Sequence, residues 1–206
     1  MTLSATALWL NTAFADFDIQ MALFIHRLYE IGGGFFTPFF DFISLLGKAG
    51  IFLIVLGFLL MLRKSTRRCG TAILLGISAG FLLTNCCVKL IVARPRPFSD
   101  ESSIFYQLWL TVGQRIEHDT SFPSGHTSAA MAASTAVFFT CDRRRSWTAF
   151  LFALLMGIAR IYLVVHFATD VIGGFIVGFI GGCIGVLAAS RLPYKWYSLD
   201  IIKPKE

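Results

Sequence analysis

Charge is scarce in this chain. Only 15% of its residues are Asp, Glu, Lys or Arg, against 56% apolar residues and a mean hydropathy of +0.71. Soluble domains carry roughly 25% charged residues, so the composition excludes an ordinary soluble fold and indicates a polytopic membrane protein. Linkers, low-complexity tracts and internal repeats are also lacking, which leaves a single domain over 1–206. Cysteine offers no framework: Cys69, Cys86, Cys87, Cys141 and Cys183 lie in or beside apolar runs, at spacings that match no zinc or redox motif, and read as small packing residues. No acidic or His/Cys cluster has metal-ligand spacing, so no metal and no cofactor is expected. The N-terminus lacks a basic n-region and soon meets Asp16 and Asp18, which argues against a cleavable signal.

Apolar runs are what the chain has in quantity. They fall at Leu45–Leu62, Cys69–Ala93, His126–Cys141, Trp147–Val165 and Val171–Ser190, near the ~17–25 residues that cross a bilayer as helix. The third is short, and a helix beginning at Ser124 brings it close to the lower limit. The expected fold is all-α, a transmembrane helical bundle of about five spans. Ahead of it, Ile19, Leu23, Ile25 and Leu28 mingle with Gln20, His26 and Arg27 before Gly32-Gly33-Gly34. That pattern suits an interfacial amphipathic helix and a turn, with a sixth crossing as the alternative. The expected division is an N-terminal tail and interfacial helix over 1–44, a catalytic bundle over 45–191 and a cytoplasmic tail over 192–206.

The net charge of +6 does not point to nucleic acid, because the basic residues divide by position. Eleven of the 18 lie in three places: Arg63, Lys64, Arg67 and Arg68; Arg143 to Arg145; and Arg191, Lys195, Lys203 and Lys205. Five crossings put all three on one face, which the positive-inside rule makes cytoplasmic. Nine of the 12 acidic residues lie on or beside the other face.

Three polar segments on that other face do not belong in hydrocarbon. Lys89 sits near the end of the second run, and seven residues later Arg96 stands between Pro95 and Pro97, which disfavour helix in the residues before them. Arg94 and Arg96 therefore lie on a stiff extended exit; a lipid head-group anchor explains this stretch equally well. In Pro123-Ser124-Gly125-His126, Ser124 is a helix N-cap candidate whose following amides are free donors, a ready anion site, with Gly125 permitting close approach and His126 able to exchange a proton. An ordinary cap with an interfacial histidine is the plainer reading. His166 and Asp170 are four apart, so one helical turn lets the carboxylate set the imidazole tautomer and leaves the other nitrogen as a nucleophile. Arg160 precedes His166 by six, which on a regular helix points away, so it reaches the site by its length or the helix ends between them. Here Asp170 as a cap and Arg160 snorkelling to the interface is the alternative.

Taken together, these segments resemble the signature of the type 2 phosphatidic acid phosphatase superfamily of membrane phosphatases: Lys-x6-Arg-Pro, then Pro-Ser-Gly-His, then Ser-Arg-x5-His-x3-Asp. Order and spacing are intact across roughly 45–191. One position departs, Ala159 standing where the family usually has serine, so a phosphate hydrogen bond from that hydroxyl is missing. The resemblance implies that His166 is the nucleophile forming a phosphohistidine, Asp170 its orienter and His126 the acid that protonates the leaving group. Lys89, Arg96, Arg160, Ser124 and the Gly125 amide would hold the phosphoryl oxygens, without a metal.

The implied activity is hydrolysis of a terminal phosphate from a membrane lipid, with undecaprenyl diphosphate the favoured substrate and phosphatidylglycerophosphate, phosphatidic acid or a lipid A phosphate the alternatives. A non-catalytic lipid-phosphate binding or transport protein is the competing class, and the intact His126, His166 and Asp170 argue against it, since binding needs no nucleophile. Phe105, Leu108, Trp109 and Val112 recur at helical spacing, as in a re-entrant or surface helix, or lie in a packed loop. Glu117, His118 and Asp119 read as a solvated turn more than as part of a pocket. Gly174, Gly178 and Gly182 form a small-x3-small stripe for close helix packing inside the bundle, with a homodimer seam as the alternative.

The topology is testable directly. In a background lacking the native cysteines, Ser102→Cys is expected to react with an impermeant maleimide in intact cells and Ser65→Cys to stay unlabelled; the reverse pattern contradicts the assignment of faces.

Overall fold

The structure, a computed structural model, describes residues 3–198. The end of the expected cytoplasmic tail, with Lys203 and Lys205, lies outside the described residues. Among the described residues the chain is all-helical, without strands. The helices are α1 (Ala5–Ala13), α2 (Ala15–Gly32), α3 (Thr37–Gly47), α4 (Ile51–Leu62), α5 (Arg67–Phe81), α6 (Lys89–Val92), α7 (Ile104–Thr111), α8 (Gly125–Thr140), α9 (Arg143–Ser146), α10 (Ala149–Tyr162), α11 (Ala168–Ser190) and α12 (Tyr194–Ser198).

The centre is α11 packed against α5 and α8, with α4 and α10 outside them. Glycine makes this contact possible. A Cβ on Gly185 would stand 2.4 Å from the Ala72 carbonyl, one on Gly181 2.7 Å from the Gly80 nitrogen, and one on Gly178 2.4 Å from the Ser128 carbonyl. Backbones this close tolerate no side chain. The Gly174, Gly178 and Gly182 stripe is therefore consumed against α8 inside the bundle and is not free to form a seam with another molecule.

The expected apolar runs are helical, with boundaries that differ for local reasons. Among the described residues two helices are individually long and apolar enough to cross a membrane, Arg67–Ser99 and Ala168–Ser190, and the bent pair Thr37–Gly47 and Ile51–Leu62 makes a third if it acts as one span. The pair bends by 55° because the chain passes through a 3-10 turn, Lys48–Gly50, with Gly50 left-handed at φ 67°. The run read as starting at Leu45 thus straddles two helices. α8 and α10, at 16 and 14 residues, are about 24 and 21 Å long, shorter than the ~30 Å hydrocarbon core.

Between α5 and α6 the helix widens into π turns over Leu82–Val88, where buried Thr84 donates to Ser128 Oγ at 3.1 Å across to α8. Such insertions rotate everything beyond them and recur at functional sites; here they aim Lys89.

The N-terminal expectation needs correction. The helix is not limited to a surface stretch near Ile19–Tyr29: α2 runs through 18 residues, buries Asp18 and His26, and packs on α7, α10 and α11. Asp18 is the cause, since a buried carboxylate must sit where its donors are, and those donors belong to Arg94 and Thr169.

Candidate active site

Four helix termini meet at one end of the bundle: α6 and α10 finish there, α8 and α11 begin there. α6 stops at Ala93, left-handed at φ 46°, and the chain leaves extended through Arg96. α8 starts at the cap Ser124, whose amide donates to the Asp170 carbonyl at 3.0 Å, tying α8 to the first turn of α11. α10 ends at Tyr162, and Val164 is left-handed at φ 53°. The helix therefore ends between Arg160 and His166, and both side chains turn into one space. Asp170 closes the first turn of α11 by accepting from the Phe167 amide at 2.9 Å.

The result is a cavity of about 810 Å³ whose wall includes Lys89, Arg96, Gly125, His126, Arg160 and His166. Asp170 lies behind His166, and Ser124 is fully buried, its hydroxyl accepting from the Thr127 amide and hydroxyl at 3.4 and 3.0 Å. Of the Pro-Ser-Gly-His tetrapeptide, then, Gly125 and His126 reach the cavity while Ser124 acts as the cap. A Cβ on Gly125 would meet nothing within 4 Å, so the space beside this first residue of α8 is open. Ala159 is fully buried in α10.

His166 is held from both sides. Its Nδ1 lies 3.4 Å from Asp170 Oδ2, and its Nε2 lies 2.8 Å from Arg96 Nη1. A guanidinium only donates, so Nε2 must accept. The tautomer is thereby assigned: Nδ1 carries the proton toward Asp170 and Nε2 presents its lone pair to Arg96. The carboxylate cannot swing away, because Oδ2 also accepts from Ser121 Oγ at 2.7 Å and Oδ1 from Arg94 at 2.8 Å.

Lys89, Arg96 and Arg160 each already hold a carboxylate, supplied by the segment read from sequence as a solvated turn. Asp119 accepts from both Lys89 and Arg96, and its carbonyl accepts from Arg96 Nε at 2.9 Å. Glu117 accepts from Arg160 Nη2 at 2.5 Å. These two side chains remain 53% and 29% exposed, whereas Asp170 is 0% exposed. Their oxygens occupy the donors of these three cations, and both side chains border solvent. The segment is pinned from α7, as the Trp109 indole donates to the Arg115 carbonyl at 2.9 Å and stacks on Phe98 at 5.0 Å. The helical spacing of Phe105, Leu108, Trp109 and Val112 is thus a true helix whose buried face backs the site. Sequence reading missed Asp18, Arg94, Ser121 and Thr169 as members of this network; only the placement of Arg94 two residues before Arg96 hinted at it.

With the fold and site in hand, the chain belongs to the PAP2 superfamily, whose family model matches residues 69–194. It is 37% identical over 103 residues to the undecaprenyl-diphosphatase BcrC of Bacillus subtilis, a match covering 49% of this chain and about half, 48%, of that one. It is 28% identical over 194 residues to a lipid A 4'-phosphatase of Bacteroides thetaiotaomicron, covering 89% and 82%. The crystal structure of a transmembrane PAP2-type phosphatidylglycerolphosphate phosphatase from Bacillus subtilis superposes with a TM-score of 0.68 at 23% identity over 92% of both chains, a likeness of fold. PAP2 phosphatases are hydrolases acting on lipid phosphates, and the apolar helices together with these relatives make the chain a membrane protein.

The carboxylates on these cations give a prediction. Burial alone would raise the Asp119 carboxyl, but the Lys89 hydrogen bond and the charge of Arg96 outweigh it and hold it at about 2. A depressed acid keeps its pairing above the ordinary carboxyl range and loses it only as pH falls toward that value, so Asp119 is anionic throughout the working range. Asp119→Asn is therefore expected to lower KM, and the inhibition constant of vanadate, by about three- to tenfold at neutral pH. Unchanged constants would show that Asp119 does not occupy the anion's place.

Proposed function

We propose that this protein is an integral membrane phosphatase that removes the terminal phosphate of a polyprenyl diphosphate such as undecaprenyl diphosphate, through a phosphohistidine at His166. The observation that carries the proposal is His166 itself: its Nε2 lone pair faces a cation-lined cavity while Nδ1 faces a fixed carboxylate. In the first step Lys89, Arg96, Arg160 and the Gly125 amide take the phosphoryl oxygens, and Ser124 fixes that amide by capping. Arg96 exchanges the Nε2 lone pair for a phosphoryl oxygen, which frees the nucleophile as substrate arrives. The Nε2–P bond forms and the P–O bond breaks, its electron pair leaving on oxygen, which His126 protonates. The Nδ1 proton stays on the ring facing Asp170; water then gives a proton to the now neutral His126 as its oxygen bonds to phosphorus, and the Nε2–P bond breaks with its electron pair returning to Nε2, which releases phosphate and regenerates both histidines. Phosphoryl transfer needs positioning and positive charge above all; three cations supply that charge in this scheme, and the reaction is metal-independent.

Two features support a diphosphate. The relative with the highest identity of those above is an undecaprenyl-diphosphatase. In addition, Lys48 lines the same cavity, and among the described residues it pairs with no carboxylate. It follows Gly47, whose backbone packs against His126 and Met156, and in this proposal its ammonium receives the phosphate that remains on the leaving group. Phe42, Leu45, Ile77 and Phe81 continue the wall and offer apolar surface to the chain beyond. Hydrolysis of phosphatidylglycerophosphate, phosphatidic acid or a lipid A phosphate is the second reading, favoured by the longer alignment to the lipid A 4'-phosphatase.

The proposal includes five crossings, with α8 and α10 spanning a locally thinned bilayer and the site at its non-cytoplasmic face. The cavity then lies near head-group depth, where a lipid phosphate arrives laterally while its tail stays in hydrocarbon. The turn between α4 and α5, together with α9 and α12, lies at the opposite end, where Arg67 binds the carbonyls of Met61, Trp196 and Tyr197.

The test is phosphate release from a panel of lipid mono- and diphosphates with EDTA present. Turnover is expected to persist with EDTA and to be fastest on the prenyl diphosphate, and Lys48→Gln should lower its preference over the monophosphate. His126→Ala should cost about 10²–10⁴-fold on alkyl phosphates and far less on a nitrophenyl phosphate, since a general acid matters most for a basic leaving oxygen. Loss of turnover in EDTA would overturn metal independence, and equal His126→Ala losses on both substrates would overturn its role.

A further inference from the structure

Arg94 stands two residues before Arg96, yet it is absent from the cavity wall. Its Nη1 donates to Asp170 Oδ1 at 2.8 Å and to Thr169 Oγ1 at 2.7 Å, its Nη2 to Asp18 Oδ2 at 2.8 Å, and its Nε to Asn11 Oδ1 at 2.7 Å. The Phe167 ring lies 3.7 Å from its Cζ. Asp18 accepts in turn from the Thr169 amide and hydroxyl, both at 2.8 Å. The three charged side chains are no more than 1% exposed. Unlike Asp119 and Glu117, these counterions have no solvent to retreat into, so this is a permanent arrangement.

Its charge count matters. One guanidinium between two carboxylates leaves a net negative charge in a buried site, and His166 is the group that faces it through Asp170 Oδ2. A carboxylate buried with an imidazole alone has little to keep it ionised. A neutral acid no longer dictates which imidazole nitrogen is bare. The Arg94 fork opposes that neutralisation but also offsets the field of Asp170; Asp18 restores it.

We infer that Arg94 and Asp18 are positioning residues of the reaction: Arg94 holds Asp170 ionised and aimed, and Asp18, on the N-terminal helix α2, returns the net negative charge that stabilises the positive charge His166 acquires on taking up a phosphoryl group. The N-terminal segment is then part of the catalytic apparatus and not an anchor beside it. This rests on the reading of His166 as the nucleophile.

The experiment is the pH dependence of kcat/KM on a soluble aryl phosphate for the full-length protein in nanodiscs, comparing Asp18→Asn, Arg94→Gln and Arg94→Lys. The acid limb reports protonation of the essential base in the free enzyme. Removing a negative charge favours neutral His166, so Asp18→Asn should move the limb to lower pH, by about one unit. Removing the positive charge should move it to higher pH in Arg94→Gln. The other groups around His166, namely Lys89, Arg96, Arg160, Asp119 and the His126 ring, are the same in both variants. KM should stay within about threefold while kcat falls tenfold or more, the pattern of a group that acts on the transition state, and Arg94→Lys should recover only part of the rate because it lacks the fork. Scaffold damage alone would lower the yield of active protein without moving the limb, and opposite shifts are not its signature. Limbs that stay in place, or move the same way, overturn the inference. Should Arg94→Gln not fold, an unmoved limb in Asp18→Asn overturns it alone and a downward shift supports it. His166→Ala is the separate control: turnover in that variant removes the nucleophile reading beneath the inference, whereas an inactive His166→Ala with unmoved limbs removes only the inference.

Discussion

Four cations are buried at one end of an apolar helical bundle, and each must have an anion, because an unpaired charge out of water costs several kcal/mol. How that demand is met organises the site. Lys89, Arg96 and Arg160 take the carboxylates of Asp119 and Glu117, which sit on a loop and keep part of their surface in water. Arg94 takes Asp18 and Asp170, which keep none. The first set borders solvent; the second is built in. Two faces of the site are thus distinguished by whether the counterion has water to retreat into.

The close packing of α11 on α5 and α8 is what brings these charges together. Glycine backbones in contact let the ends of the helices converge, so that Lys89, Gly125 and His166 share one wall. The helix ends shape the site too: the start of α8 places Gly125 on the cavity wall with open space beside it, and the start of α11 fixes Asp170 through the Phe167 amide. Helix-terminal groups that lack intrahelical partners are satisfied by the site itself.

Much of this was legible in the sequence, because hydrophobic runs and helix caps are local signals. The start near Ser124 and the exit at Arg96 follow from residues close in the chain; the break between Arg160 and His166 was one of two readings there, and the last long helix begins at Ala168, three residues before the apolar run read from Val171. The helical spacing in Phe105–Val112 was equally readable, though not that its buried face would hold a loop against the cavity. What escaped was long-range. Asp18 and Arg94 are 76 residues apart, and nothing near either announces the other; the prolines around Arg94 and Arg96 made the two look equivalent, and only the fold separates one into the cavity and one behind it. Glu117 and Asp119 looked solvated because acidic residues in polar loops usually are. The π turns over Leu82–Val88 have no composition that betrays them, and the bend at Gly50 hid inside a continuous apolar stretch.

The account stands on the bare Nε2 of His166. The most direct measurement is to trap the phosphoenzyme by rapid quenching after mixing with a radiolabelled lipid phosphate, then locate the label by peptide mass spectrometry and assign its ring position by phosphorus NMR. The account predicts an acid-labile, base-stable phosphate on the Nε2 nitrogen of His166. A phosphate on Nδ1 would contradict the assigned tautomer, and label on another residue, or steady turnover with no phosphoenzyme at any quench time, would contradict the mechanism.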